Sequence, residues 1–372
     1  MTSIPLVDLA AAHQEIAQEV VEGWQEVLAA AAFIGGPQVA AFEREFAAFT
    51  GVQECVGVAN GTDAIELPLR ALGIGAGDEV VLPANSFIAT AEAVCRTGAV
   101  PVLVDCADDD TYLMDMDAAA AAVTARTRAF VPVHLYGQVA PVERLNEIAM
   151  RTGTWVIEDA AQAHGAVRHG LSAGSLGHAA ATSFYPGKNL GAYGDAGAVL
   201  TNSTDLAAMT RLIRDHGSPR KYVHEVIGVN SRMDTLQAVV LSAKLRRLAA
   251  WNLARRQAAV RYDEALAGLE EVGRPRTLEG NTHVWHLYVI RVPDRDRVLA
   301  RLHDAGIGAA IHYPTPIHRT AAFAALTGDT PMAGAFPVAE RLAPQLLSLP
   351  IYPQITAGQQ DQVVEVLTKA LR

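Results

Sequence analysis

The sequence predicts an α/β protein in two parts. A large domain, residues 1–248, is built on a mostly parallel seven-stranded sheet, and a smaller α+β domain, residues 249–372, follows. Three observations predict this. Short runs rich in β-branched residues alternate with helical segments through the first two-thirds of the chain. The pattern then changes character after a long helical stretch. Finally, 372 residues, 50% of them hydrophobic, are too many for one simple core.

The predicted strands are CVGVAN, EVVLPAN, PVLVDC, AFVPVH, TWVIED, AATSFY and GAVLTN. Helical patterns separate most of them, at 64–72, 89–97, 117–124 and 142–152. Continuous apolar runs alternating with helices imply parallel strands covered on both faces. The last two runs are joined without a helix, so one edge of the sheet is expected to depart from parallel pairing. A helix is predicted from Thr235 to Leu266. Beyond it, HVWHLYVIRV and AAIHYP read as strands flanking the helix DRDRVLARLHDAG, which ends at glycine. Pro68 interrupts an otherwise helical pattern and has no explanation at this level.

Composition narrows the function classes. A net charge of −10 and the lack of a basic stripe argue against a nucleic-acid partner. The densest cationic stretch, Lys244 to Arg256, has the spacing of a solvated helix face. Cys55, Cys95 and Cys106 are odd in number and lack CxxC spacing, against a disulfide framework or structural zinc. A reducing cytoplasm fits. The N-terminal stretch reads as no signal peptide, and no apolar run reaches the roughly 18 residues of a membrane span.

Two apparent phosphate loops fail on spacing. GIGAGD puts Asp78 where the third glycine of a dinucleotide fingerprint belongs, and it precedes its strand. Around PGKN, a P-loop would need glycine at 182 and Ser or Thr at 189; the chain has Thr182 and Asn189. Other stretches hold more chemistry. TWVIEDAAQAHG ends a strand in Glu158-Asp159, where active sites of open α/β sheets lie. Taken alone, Asp159 is better read as a helix cap. In VANGTDA a strand turns through Asn60-Gly61-Thr62 into a helix, which is either an anion cradle or a plain cap. SFYPGKNLGAYGDAGAV places Lys188 in a glycine-rich turn. Together, a phosphate cradle, a strand-end acid and a lysine form the set that pyridoxal phosphate requires. The lysine condenses with its aldehyde, the carboxylate keeps its ring nitrogen protonated, and N–H and hydroxyl donors hold its phosphate. The glycines are expected to let backbone crowd a flat cofactor. His164 alone is weak support for a metal at Asp159.

These residues resemble the sugar aminotransferases of the DegT/StrS type, enzymes of the pyridoxal-phosphate-dependent fold type I. The resemblance runs from IPLVDL and GGPQVAAFEREFAAFTG through PVHLYGQ, IEDAAQAHGA and SFYPGKNLGAYGDAGAV. It continues through KYVHEVIGVNSRMDTLQA and IHYPTPIH to FPVAERLAPQLLSLPIYP. It implies that Lys188 is the cofactor-bound catalytic lysine and that Asp159 pairs with the ring nitrogen. Gln162 would lie near the ring, and Phe87 would stack on its outer face. Gly61, Thr62 and Ser183 would bind the phosphate. Asn230 would reach the phosphate of a neighbouring subunit, making a homodimer part of the site. Tyr222, His224, His312 and Tyr313 lie in segments that line the sugar-nucleotide cleft, and a packing role suits each equally. His134 reads as structural. Asn60 stands where many relatives have serine.

The implied reaction moves an amino group from L-glutamate to a keto sugar carried on a nucleotide. The motifs look most like relatives acting at C3 of dTDP-3-keto-6-deoxyhexoses in natural-product pathways. Relatives acting at C4 share the core motifs. A dehydratase would be expected to replace Lys188, and a cofactor-binding sensor to add a basic DNA-binding helix pair.

Overall fold

The structure is a computed structural model that describes residues 3–327 and 335–372. Seven strands form the main sheet: β1 (Glu54–Val58), β2 (Glu79–Pro83), β3 (Val100–Val104), β4 (Thr127–Phe130), β5 (Trp155–Asp159), β6 (Ala179–Ser183) and β7 (Gly197–Thr201). Their order is β1-β7-β6-β5-β4-β2-β3. The neighbours from β6 through to β3 pair in parallel. Only β7 runs against its neighbours, pairing antiparallel with both β1 and β6. The expected departure from parallel pairing is therefore present, but one strand in from the edge. The connection from β6, residues 184–196, contains no helix and brings the chain back directly beside it, and β1 then closes the edge.

Both faces of the sheet are buried, as the continuous apolar runs along its strands require. Val56, Val58, Val80, Leu82 and Ile157 pack with Ile65, Leu67 and Leu69 of the helix Gly61–Ala71. On the opposite face Val81, Phe130 and Val156 meet Leu145 and Ile148 of the helix Val142–Thr152. Each such side chain contributes roughly 1.5–3 kcal/mol. The helix Gly61–Ala71 continues through buried Pro68, so the proline does not end it.

The helix Thr235–Leu266 joins two hydrophobic cores. Its first half packs with Phe42 and Phe46 through Leu241 and Leu245. Its last turns pack Tyr262 and Leu266 against Tyr288, Ile290, Leu347 and Val363. The 248/249 boundary falls inside this helix, and Ile4 packs into the second core. We propose two lobes that share this helix, with the N-terminal strap lying on the second.

The second lobe corrects two expectations. Of HVWHLYVIRV only β8 (Tyr288–Arg291) is a strand, paired with β9 (Leu346–Leu349). Upstream, Val284 and Leu287 give their N–H groups to Gly137 and Tyr136 of the large lobe, so that backbone is already engaged. AAIHYP is no strand either. It touches the small sheet through one bridge, Ala310 to Ser348, and otherwise crosses toward the large lobe.

Candidate active site

β1, β2, β4, β5 and β6 all end at one rim, because β7 alone runs the other way. Their outgoing ends carry Asn60–Thr62, Ser86–Phe87, Val133, Asp159 and Ser183. These residues line a cavity of about 630 Å³, closed from the second lobe by His286, His312 and Tyr313. Of the expected residues, Lys188, Asp159, Gly61, Thr62, Phe87, Gln162, Ser183, His312 and Tyr313 all line it.

Gly61 opens its helix, with Asn60 as N-cap accepting from the Asp63 N–H at 2.9 Å. The N–H groups of Gly61 and Thr62 therefore have no partners within the helix. A Cβ at Gly61 would lie 2.5 Å from Ser183 Cβ, so only glycine lets the β6 end approach this helix start. The result is a concave cluster of N–H and hydroxyl donors at a helix N-terminus, suited to a phosphate.

Asp159 is buried and its carboxylate is oriented. Ser86 donates to Thr90, Thr90 Oγ1 donates to Asp159 Oδ2 at 2.8 Å, and the Ala161 N–H reaches Oδ1 at 3.2 Å. Lys188 is half-buried, with its open side on the cavity. Enclosure of its amine pushes its pKa down to about 8, against the opposing pull of the Asp159 charge. Burial, followed by the Lys188 charge, pushes His164 down to about 3 and His312 to about 4, leaving both rings neutral near pH 7.

Gln162 spans the two lobes. Its Oε1 accepts from the Tyr136 N–H at 2.6 Å, and its Nε2 donates to the Tyr313 hydroxyl at 3.0 Å. Tyr136 in turn donates to the His312 carbonyl. Tyr313 packs beside Phe87, ring centres 5.4 Å apart, and Phe87 is half exposed. His312 meets the Ser348 hydroxyl through Nδ1 at 2.8 Å.

Asn230, Tyr222 and His224 do not line this chain's cavity. They lie on the exposed stretch before the helix Thr235–Leu266, with Tyr222 83% exposed and His224 bonded to the His216 carbonyl. His134 sits away from the cavity lining. Its Nδ1 accepts from the Ala140 N–H, so Nε2–H donates to Glu158 at 2.7 Å. The glycines after Lys188 also take a different role from the expected one. A Cβ at Gly191 would strike the Pro186 carbonyl at 2.3 Å, and one at Gly197 the Asn60 carbonyl at 2.3 Å. These two glycines let the chain pack on itself.

Sequence reasoning missed Thr90, Tyr185, Asp195 and His286, all on the cavity wall. Thr90 follows Phe87 by one helical turn, a signal that gains meaning only once Phe87 is placed. Among the described residues, no group of three or more His, Cys, Asp or Glu is placed to hold a metal ion.

The set fits pyridoxal phosphate. The Gly61 cradle admits a phosphate where a Cβ would fill it, Asp159 is a fixed acceptor for a ring N–H, and Lys188 offers a partly neutral amine. Comparison with known proteins agrees. The model of the DegT/DnrJ/EryC1/StrS aminotransferase family matches residues 14–368. The chain is 46% identical to the erythromycin biosynthesis sensory transduction protein EryC1 of Saccharopolyspora erythraea, over 98% of both chains. It is 44% identical to the dTDP-3-amino-3,4,6-trideoxy-alpha-D-glucose transaminase of Streptomyces venezuelae, covering 98% of this chain and 95% of that one. The crystal structure of S. venezuelae DesV in complex with a ketimine intermediate superposes with a TM-score of 0.96, at 43% identity over 100% of both chains. The chain is a pyridoxal-phosphate-dependent aminotransferase and belongs to the DegT/DnrJ/EryC1/StrS aminotransferase family.

Proposed function

We propose that this chain transfers the amino group of L-glutamate to C3 of a keto-6-deoxyhexose carried on dTDP. The observation that carries the chemistry is Lys188 facing the anchored Asp159 in one cavity, beside the Gly61–Ser183 cradle. The names of the similar transaminases support the sugar and its position. Bound there, pyridoxal phosphate supplies an aldehyde and a ring that withdraws electrons from the carbon bearing the nitrogen.

The chain's own residues do the rest. Gly61, Thr62 and Ser183 hold the phosphate. Asp159, steered by Thr90, accepts a hydrogen bond from the ring nitrogen and keeps it protonated. Phe87 covers the ring's outer face, and Gln162 fixes the segment carrying Tyr313. Lys188 Nζ, once free, would take the proton from the substrate's amino-bearing carbon and return it to the carbon on the other side of that nitrogen, as a general base and then a general acid.

The working unit in this reading is a homodimer in which Asn230 serves the partner's phosphate. In support, Asn230 lies on an exposed stretch with Tyr222 and Ile227, the latter 91% exposed, and exposed Phe33 and Ile34 add further apolar surface. We place the enzyme in the cytoplasm. Among the described residues, no helix is long and apolar enough to cross a membrane.

The test is a half-reaction. L-Glutamate should abolish the visible absorbance of the loaded enzyme, and a keto sugar should restore it. A panel of 3-keto and 4-keto dTDP-hexoses, read by product mass, decides the carbon. If no amino donor changes the spectrum, the transaminase reading fails. If only 4-keto sugars restore it, the chemistry stands and the position moves to C4.

A further inference from the structure

The cavity wall beside Lys188 has a hydrogen-bond polarity that can be read from the buried residue next to it. Asn189 is 6% exposed, and its Nδ2 donates to the Val284 carbonyl at 2.9 Å and to Asn252 Oδ1 at 3.0 Å. A backbone carbonyl can only accept, so the amide orientation is fixed. Asn189 Oδ1 is thereby aimed at His286 Nδ1, 3.3 Å away. An oxygen there requires the proton on Nδ1. Burial, reinforced by the charges of Lys188 and Arg255, holds the imidazole well below its ordinary pKa, so it carries only that one proton. His286 Nε2 is left with a lone pair. It has no protein partner among the described residues, and the ring lines the cavity.

We propose that Asn189 locks His286 as an acceptor, and that His286 Nε2 takes a hydrogen bond from an O–H or N–H of the bound substrate. This rests on reading the cavity as the transaminase site. The donor is a hydroxyl of the sugar or the amino group of the amino acid, and each meets the enzyme in a different half-reaction. A positively charged or Nε2-protonated ring would present a donor instead, which an ammonium group cannot accept and which a hydroxyl could meet only with its own oxygen, reversing the bond. The same clamp ties recognition to the lysine loop, because Asn189 follows Lys188 directly and Asn252 also donates to the His164 carbonyl at 2.8 Å.

Two measurements test this. Nitrogen-15 NMR of histidine-labelled holoenzyme, with His286→Gln used to assign the resonance, should show His286 as the neutral Nδ1–H form at neutral pH. An Nε2–H form or an imidazolium overturns the proposal, whatever the substrate. The second measurement compares variants. His286→Asn keeps a donor at the Nδ1 position, while His286→Gln keeps an acceptor near the Nε2 position. KM for L-glutamate and for dTDP-3-keto-6-deoxyglucose is measured in the separate half-reactions. The Asn variant should raise one KM about tenfold or more, the loss of one hydrogen bond to a buried acceptor, with Gln within about threefold. Glutamate as the affected arm identifies the amino group, and the sugar arm identifies a hydroxyl. A reversed ranking, expected if His286 only buttresses Asn189, overturns the proposal, as does an unchanged KM in both arms. Failure of wild-type enzyme to react with glutamate counts against the transaminase reading and leaves the tautomer result to judge the clamp.

Discussion

Lys188 should be unusually reactive before any cofactor binds. Its amine titrates near 8 in place of 10.5 because it is enclosed, with the Asp159 charge limiting the fall. At pH 7 a pKa of 8 leaves about 9% of the amine neutral, against about 0.03% for an ordinary lysine, a gain of about 300-fold. The assay strips the cofactor and labels the protein with a trace of acetic anhydride across the alkaline range. Peptide mass spectrometry then compares Lys188 with exposed Lys369. Lys188 labelling should rise with a midpoint near 8, and Asp159→Asn should move that midpoint lower, because it removes the charge that favours the ammonium. Linkage gives an independent check. The unfolded chain binds more protons than the folded one between about pH 8 and 10.5, so the stripped protein gains stability as pH rises through that window. Lys188→Met should therefore melt above wild type at pH 7, with the advantage gone by about pH 10.5. A labelling midpoint near 10 would refute the enclosure argument, because an amine open to bulk water has no cause for a depressed pKa.

Three further outcomes follow from the geometry. Gly61→Ala puts a methyl 2.5 Å from Ser183 Cβ and should weaken cofactor retention at least about tenfold in equilibrium dialysis, with about 1–3 kcal/mol of overpacking cost in urea melts. Thr90→Val removes the hydroxyl donated to Asp159 and should lower kcat about tenfold with little change in Tm; an unchanged kcat would show that Asp159 needs no such anchor. Mixing Lys188→Ala with Asn230→Ala, each inactive alone, should restore up to about a quarter of wild-type activity, since half the dimers are mixed and each holds one intact site. No recovery after confirmed subunit exchange counts against the shared site.

The large lobe was legible because its signals are local. The helices 89–97 and 142–152 carry an amphipathic period in their own residues, and the structure keeps those limits, as it keeps 235–266, whose two halves face different cores. What was illegible depends on partners. Nothing within GAVLTN says that it inserts between β6 and β1, since an edge is chosen by the rest of the sheet. AAIHYP has the composition of a strand, yet beyond Ala310 it meets no strand edge, and propensity without a partner makes no ladder. The site divides the same way. Gly61-Thr62, Asp159 and Lys188 sit at strand ends or turns that the sequence marks, whereas Thr90, Asp195 and His286 join them only because the fold brings them to one rim.

Glu158 and Asp159 show how much of function is settled by one residue of register. Both are acids at the end of the same strand, and composition offers no way to prefer either. Successive strand side chains point to opposite faces. Asp159 therefore opens on the cavity, where Thr90 holds it and one oxygen is shared with a single backbone N–H. Glu158 points the other way. It accepts from the N–H groups of Gly174, Leu176 and Gly177 and from His134, a set that fully occupies its two oxygens. A slip of one position would bury the free acid in the loop anchor and aim the occupied one at the cofactor. The chemistry of this enzyme rests on a register that β5 fixes with β6, where Glu158 pairs with Ala180 and Asp159 with Ala181. Ala180 packs in the core with Phe42 and Ala181 in the core with Val58, so the burial of two different hydrophobic faces selects which carboxylate can do chemistry.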